Sequence, residues 1–339
     1  MTAERKQSSC AGRFFSGARN IILFTVALFS VGAIQSRSVT VPTPGSLGRK
    51  WAHFEEQGDR YSFVFIGSSR VAHHFIAEQF DAALRDAGHE VTSFNFGQDG
   101  MFPPESFYVL RKLLDQTPAR PRWVAVDLMN FRPILKGNEE AERAIAWHDW
   151  RHTLLTCRML LSPDFTPGAD EPGLFYHTRL LATRTIGEGR WQDWLQRRMK
   201  LNMRLPGPVT MSGYEALEPR PLGKDASEKF EQDVEKLKAA IAPIEMPAVY
   251  RRELEELVSA IRERGAEPVF VVSPDIHAFQ RFRDWPPAGV AQFSYDHPET
   301  YPTLYLSGQR YDSGHLDKNG AKEFTRIFAT EFADWLKRK

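Results

Sequence analysis

Two short stretches carry residue types that can work together as a nucleophile and its base. In "FVFIGSSRVAHHF", residues 63–75, an apolar run ends at Gly67 and two serines follow. In "YDSGHLDKNGAKEF", residues 311–324, Asp312 and His315 stand just ahead of an amphipathic run. Cleaving an ester through a covalent intermediate needs a hydroxyl, an imidazole to take its proton and a carboxylate to orient that imidazole. It also needs donors aimed at the oxyanion that develops on the carbonyl. The spacing of Asp312 and His315 lets a turn present both side chains on one side. Gly67 permits a tight turn, and a helix starting just after it leaves backbone N–H groups without partners. Each stretch also has a plainer use: serines cap helices, and an aspartate can start one.

These residues need a frame that brings residue 69 to residue 315. "YSFVFIG" (61–67), "EVTSFNFG" (90–97) and "RWVAVDLMNF" (122–131) read as strands. The stretches at 74–89 and 104–116 read as helices between them. Strand and helix in alternation predict a parallel sheet covered by helices, a three-layer α/β sandwich. The alternation stops over 132–245, where Pro and Gly are scattered and Trp147, Trp150, Trp191 and Trp194 cluster. This segment reads as a mostly helical insertion, its tryptophans used for packing in preference to sugar stacking. Order returns at 250–274, a helix closed by Gly265 and then a strand. The last helix, about 318–337, puts Phe324, Ile327, Phe328, Phe332 and Trp335 near one face.

In a parallel sheet, ligands gather at the carboxyl ends of the strands. The polar motifs fall there: Gly67-Ser68-Ser69, Asn95-Phe96-Gly97 and Asn130. Arg70 beside the serines is a candidate holder of an anionic substrate group, and Asp275 and His277 in "SPDIH" are candidate cleft residues. His73 and His74 are neighbours with no cysteine or carboxylate at metal-site spacing, so they read as packing residues and no metal is expected.

Taken together, these motifs resemble the SGNH (GDSL-type) hydrolase superfamily. Its first block, a glycine, a variable residue and the serine nucleophile after a buried strand, is similar to "FIGSSR" and implies Ser69. Ser68 stands where many members have aspartate. The oxyanion glycine of the second block resembles Gly97 in "FNFGQDG", and the third block's asparagine is similar in position to Asn130. The glycine-x-asparagine-aspartate wording of that third block is absent. The fifth block, aspartate-x-x-histidine-leucine before a final helix, matches "DSGHL" and implies Asp312 and His315. The resemblance covers about 60–136 and 248–339 and implies an SGNH/flavodoxin-like fold. It further implies a serine esterase or O-acyltransferase needing no cofactor. Oxyanion donors would be the Ser69 and Gly97 amides with the Asn130 side chain. An N-terminal membrane segment before a glycine-serine-serine block resembles the envelope members that transfer D-alanyl groups or O-acetylate alginate. Their layout implies a polysaccharide ester as substrate and a membrane-bound acyl-donor protein as partner.

The leader fits that layout. Residues 1–20 hold Arg5, Lys6, Arg13 and Arg19 against one acid, and "IILFTVALFSVGAI" (21–34) is uncharged. A basic start before a short apolar core predicts export across a membrane over 1–36. Two forms stay open: a cleaved signal peptide, with Val31 and Ala33 at the cut, or an uncleaved signal anchor. A Pro-, Gly- and Ser-containing linker is expected over 37–59, then one α/β domain over 60–339. The body is thus expected outside the cytoplasm, in the periplasm or on the outer face of the membrane. Cys10 and Cys157 fall on opposite sides of the apolar stretch, so no disulfide is expected. The 44 basic and 43 acidic residues are well mixed, which argues against nucleic acid as a partner.

Overall fold

The computed structural model describes residues 45–116, 121–134, 137–139, 142–186, 212–239, 244–276, 282–283 and 285–339, with Leu23 and Ser30 as isolated positions. His277, Trp191, Trp194, Cys10 and nearly all of the leader lie outside the described residues. Among the described residues, no helix is long and apolar enough to cross a membrane.

Five strands form one parallel sheet: β1 (Phe63–Gly67), β2 (Ser93–Gly97), β3 (Trp123–Asp127), β4 (Glu267–Val272) and β5 (Ala291–Ser294). Every residue of β1, β2 and β3 is buried, as continuous apolar strands are when both faces of a sheet are covered. The order is β2-β1-β3-β4-β5, so the chain reverses direction across the sheet between β1 and β3. A crevice opens at such a reversal, outside the carboxyl ends of the two strands.

Alternate side chains of each strand divide into two cores. Val64, Ile66, Val124 and Phe270 meet α1 (Gly45–Gln57), α4 (Glu105–Gln116) and α9 (Ala248–Glu263). Phe63, Phe65, Ala125 and Val269 meet α2 (Ser69–His74), α3 (Ala77–Asp86), α8 (Lys224–Ala239) and α10 (Lys318–Lys337). The second core is rich in phenylalanine. Phe328 on α10 packs against Phe63, Phe65, Phe75 and Phe80 with ring centroids 5.1–6.2 Å apart. Burying one such side chain stabilises the fold by about 1.5–3 kcal/mol. The last helix is thereby fixed against β1 and the helices that follow it.

The elements differ from expectation in three places. The helix expected over 74–89 is shorter, α3, and a separate short helix, α2, ends at His74 just before it. A helix occupies 45–57, inside the expected linker, because Leu47, Trp51 and Phe54 recur on one face and fill the core. The short strand β5 carries only one fully apolar inward position, Phe293, and left no alternation to read. In the described part of the insertion, α5 (Glu142–Trp147), α6 (Trp150–Leu160) and α7 (Leu174–Ile186) precede α8. Trp147 packs with Ile134, Ala144 and Leu180, whereas Trp150 is exposed.

Candidate active site

β1 ends at Gly67, against which the Asp127 side chain at the end of β3 packs so closely that a Cβ would collide with it. Ser68 then caps α2: its Oγ accepts the Arg70 N–H at 3.3 Å and donates to Asp127 Oδ2 at 2.9 Å. Ser273, just beyond β4, donates to the other oxygen, Oδ1, at 3.1 Å. Burial pushes the Asp127 carboxyl up from its ordinary value, opposed by the Arg70 charge and by these donors. This buried clamp joins the ends of β1, β3 and β4. It sets the direction of the next residue, Ser69, on the first turn of α2.

At the other end of the chain, Arg310 and Leu316 form a β-bridge around a turn. Inside it, Asp312 Oδ1 accepts the Gly314 and His315 N–H groups, both at 2.8 Å. Asp317 caps α10 through the Asn319 and Gly320 amides at 2.8 and 2.9 Å, which fixes where the turn ends.

The two ends meet. His315 Nδ1 lies 2.9 Å from Asp312 Oδ1 and 3.0 Å from Oδ2, and His315 Nε2 lies 2.7 Å from Ser69 Oγ. A carboxylate can only accept from Nδ1–H, so Nε2 carries the lone pair and accepts from the serine hydroxyl. Burial raises the Asp312 carboxyl, but the His315 ring and the two amides outweigh it and hold it below its ordinary value. The carboxylate therefore stays charged and keeps the ring oriented.

A second set of residues surrounds this line. His73 Nε2 meets Asp99 Oδ1 at 2.8 Å and its Nδ1 meets the Glu215 carbonyl at 2.7 Å. Burial lowers the His73 pKa, but these two acceptors and the neighbouring charges leave it above its ordinary value. His74 is fully buried and accepts the Leu316 N–H on Nε2 at 2.9 Å, which holds the turn behind His315. Burial, then the His315 ring whenever it takes a proton and the Arg310 and Arg70 charges, keeps the His74 ring neutral, well below its ordinary value. Lys50 of α1 is fully buried; its Nζ donates to the Gly97 carbonyl at 2.6 Å and pairs with Glu215 at 2.9 Å. The return leg of the insertion passes close by. Ser212 O accepts the Asn95 N–H at 2.8 Å, Glu215 N–H donates to Ala72 O at 3.0 Å, and Leu217 O accepts from Lys318 at 2.8 Å.

Several expected roles are corrected. The Gly97 N–H donates to Asn95 Oδ1 at 2.8 Å, so it is engaged within its own strand end and not offered to an oxyanion. Gly97 is required for another reason: a Cβ there would run into the backbone of α2 at Ala72. Asn130 lines a separate cavity with Asp296 and His297, beyond β3, β4 and β5, and no bond among the described residues ties it to Ser69. Arg70 and Asp275, both buried, form an ion pair with each other, so neither charge is presented to a substrate. His277 lies outside the described residues. The Ser69 amide, on the first turn of α2, has no acceptor among the described residues and remains a candidate oxyanion donor. Among the described residues there is no cluster of His, Cys, Asp or Glu that could hold a metal ion.

Lys50, Asp127, Ser273 and Glu215 went unread in the sequence. Two left a trace: Lys50 interrupts the apolar stripe of Leu47, Trp51 and Phe54, and Asp127 is the one acid inside an apolar strand. Ser273 and Glu215 left none.

Comparison of the chain with family models, with curated proteins and with solved structures returns no match.

Proposed function

We propose that this protein is a serine esterase or O-acyltransferase of SGNH type, acting outside the cytoplasm on acyl esters of envelope or extracellular polysaccharide. The observation that carries the chemistry is the unbroken line from Ser69 Oγ through His315 to Asp312. Ser69 Oγ attacks the ester carbonyl while His315 Nε2 takes its proton, and a tetrahedral oxyanion forms. The Ser69 amide donates to that oxyanion. Collapse breaks the carbon–oxygen bond to the alcohol, which leaves with the proton returned by His315, and an acyl-serine remains. Water or a sugar hydroxyl, deprotonated by His315, then attacks the acyl carbon and releases Ser69. Water gives hydrolysis; a sugar hydroxyl gives transfer.

The SGNH assignment is supported by the sheet order, by the serine at the end of β1 and by the Asp-x-x-His turn before the final helix. Export, and contact with a membrane and a membrane-bound acyl donor, rest on the basic, then uncharged, leader. A second reading, a non-catalytic glycan-binding or assembly protein that keeps the fold, is favoured by the engaged Gly97 amide and by Asn130 lining a separate cavity. A fluorophosphonate probe separates them. Covalent labelling of folded protein that disappears in Ser69→Ala supports the enzyme, and no labelling of folded protein rejects it.

A further inference from the structure

The cavity that Asn130 lines lies at the same end of the sheet as Ser69. Asp127, which holds Ser68 at the end of β1, leads straight into the segment that reaches Asn130. The cavity has a volume of about 160 Å³ and is walled by side chains from four separated stretches, Leu128 to Asn130, Val272 at the end of β4, Phe282 with Trp285, and Gln292 to His297. At ~30 Å³ per water in the liquid, that is space for about five waters, more than one structural water needs. It matches one sugar ring in size and excludes a disaccharide.

Three buried polar atoms, one on each of three of those stretches, have no hydrogen-bond partner among the described residues: Asn130 Oδ1, Trp285 Nε1 and Gln292 Oε1. Buried polar groups in folded proteins are almost always paired, so three orphans around one cavity call for an occupant. The set contains one obligate donor, the indole N–H, and two amide oxygens that accept. A hydroxyl does both, so a ligand carrying several hydroxyls satisfies the set where a purely accepting anion does not. Asp296, buried in the same wall, also disfavours an anion. The Trp285 and Phe282 rings supply apolar surface for the C–H face of a pyranose. Asn130 and His297 keep part of their surface in solvent, so the cavity reaches water on that side.

We propose that this cavity is a binding subsite for one neutral, hydroxylated sugar ring. It rests on the reading above in seating a sugar unit of the substrate or acceptor at the same end of the sheet as Ser69, yet it stands on the cavity alone and does not need Ser69 to react.

Full-length Ser69→Ala protein, which cannot turn over a substrate, is titrated with glucose, galactose, mannose and N-acetylglucosamine and followed by saturation-transfer NMR. At least one sugar is expected to bind saturably. Trp285→Phe, which keeps an aromatic ring and removes the N–H, weakens that binding about 3- to 10-fold, the worth of one neutral hydrogen bond. Asn130→Leu, which fills the cavity and removes an acceptor, abolishes it. Should Trp285→Phe fail to melt cooperatively, Gln292→Met is measured in its place with the same expected weakening. No saturable binding of any of the four sugars below about 50 mM overturns the proposal, since weaker association is under ~2 kcal/mol. Binding that survives the substitutions unchanged overturns it equally. Failure here leaves fluorophosphonate labelling of the wild-type protein intact; failure of the enzyme reading abolishes labelling and leaves sugar binding as it is.

Discussion

Ser68 and Ser69 are neighbours with opposite surroundings. Ser68 bonds a carboxylate that is fully buried and shared with Ser273. Ser69 bonds an imidazole at the rim of the crevice, whose own carboxylate is half-exposed. A buried carboxylate clamped by two hydroxyls is engaged on both oxygens and faces no substrate. An imidazole with a free lone pair and a charged carboxylate behind it can take a proton and return it. The first serine is therefore held still so that the second can react.

Substitutions that should treat the two serines differently sharpen this contrast. The largest effect is expected for Ser69→Ala, which reduces fluorophosphonate labelling to background and leaves the melting temperature unchanged. Ser68→Ala should keep labelling, at a lower rate, and melt earlier; equal loss in both variants would break the distinction. Asp312→Asn comes next. It removes the charge behind His315, and the labelling rate should fall about 10²- to 10⁴-fold with the fold retained. Asp127→Ala strips partners from two buried hydroxyls, and denaturant titration should show a loss of about 2–4 kcal/mol.

A smaller effect is expected at Lys50. Lys50→Met releases the Gly97 carbonyl and Glu215, and the labelling rate should fall about 3- to 10-fold through looser placement of the loop after β2. Rates unchanged in a folded variant would remove Lys50 from the positioning network.

The effect farthest from the two serines in the chain's organisation concerns the insertion, where His148 and His177 stack with Nε2 and Nδ1 2.9 Å apart. Burial pushes His148 down to about 3 and His177 down to about 4 from an ordinary 6.5. Both are neutral when folded, so between pH 6.5 and about 4 the unfolded chain takes up protons that the folded chain refuses. Their contribution to stability is complete above the ordinary histidine value and declines as the pH falls, by up to about 1.4 kcal/mol per pH unit for each ring. Melting temperature followed from about pH 7.5 to about pH 4.5 should fall less steeply in His177→Gln than in the wild type.

The sequence made the frame and the reacting groups legible for a common reason: both are written locally. Apolar runs announced β1, β2, β3 and β4, the first two ending in glycine, and the Asp-x-x-His turn was contiguous. The remainder depends on pairings between distant segments. Nothing near Asp127 says that Ser68 and Ser273 will clamp it, and nothing near Arg70 says that Asp275 will meet it across the sheet ends. The helix over 45–57 was obscured because Pro44 and Gly45 punctuate its start and Lys50 breaks its stripe. That lysine is buried only because Gly97 and Glu215 converge on it from elsewhere.

The return leg of the insertion has a consequence for solubility. By offering Ser212 O to Asn95 N–H, it occupies the outer margin of β2, a border strand with no other neighbouring strand on that side among the described residues. Trimming residues 132–245 would bare that margin, leaving a flat run of apolar backbone open to pairing with another molecule. A shortened protein should therefore clump more readily than the intact chain, which makes the segment a guard on the sheet as well as a wall beside the crevice.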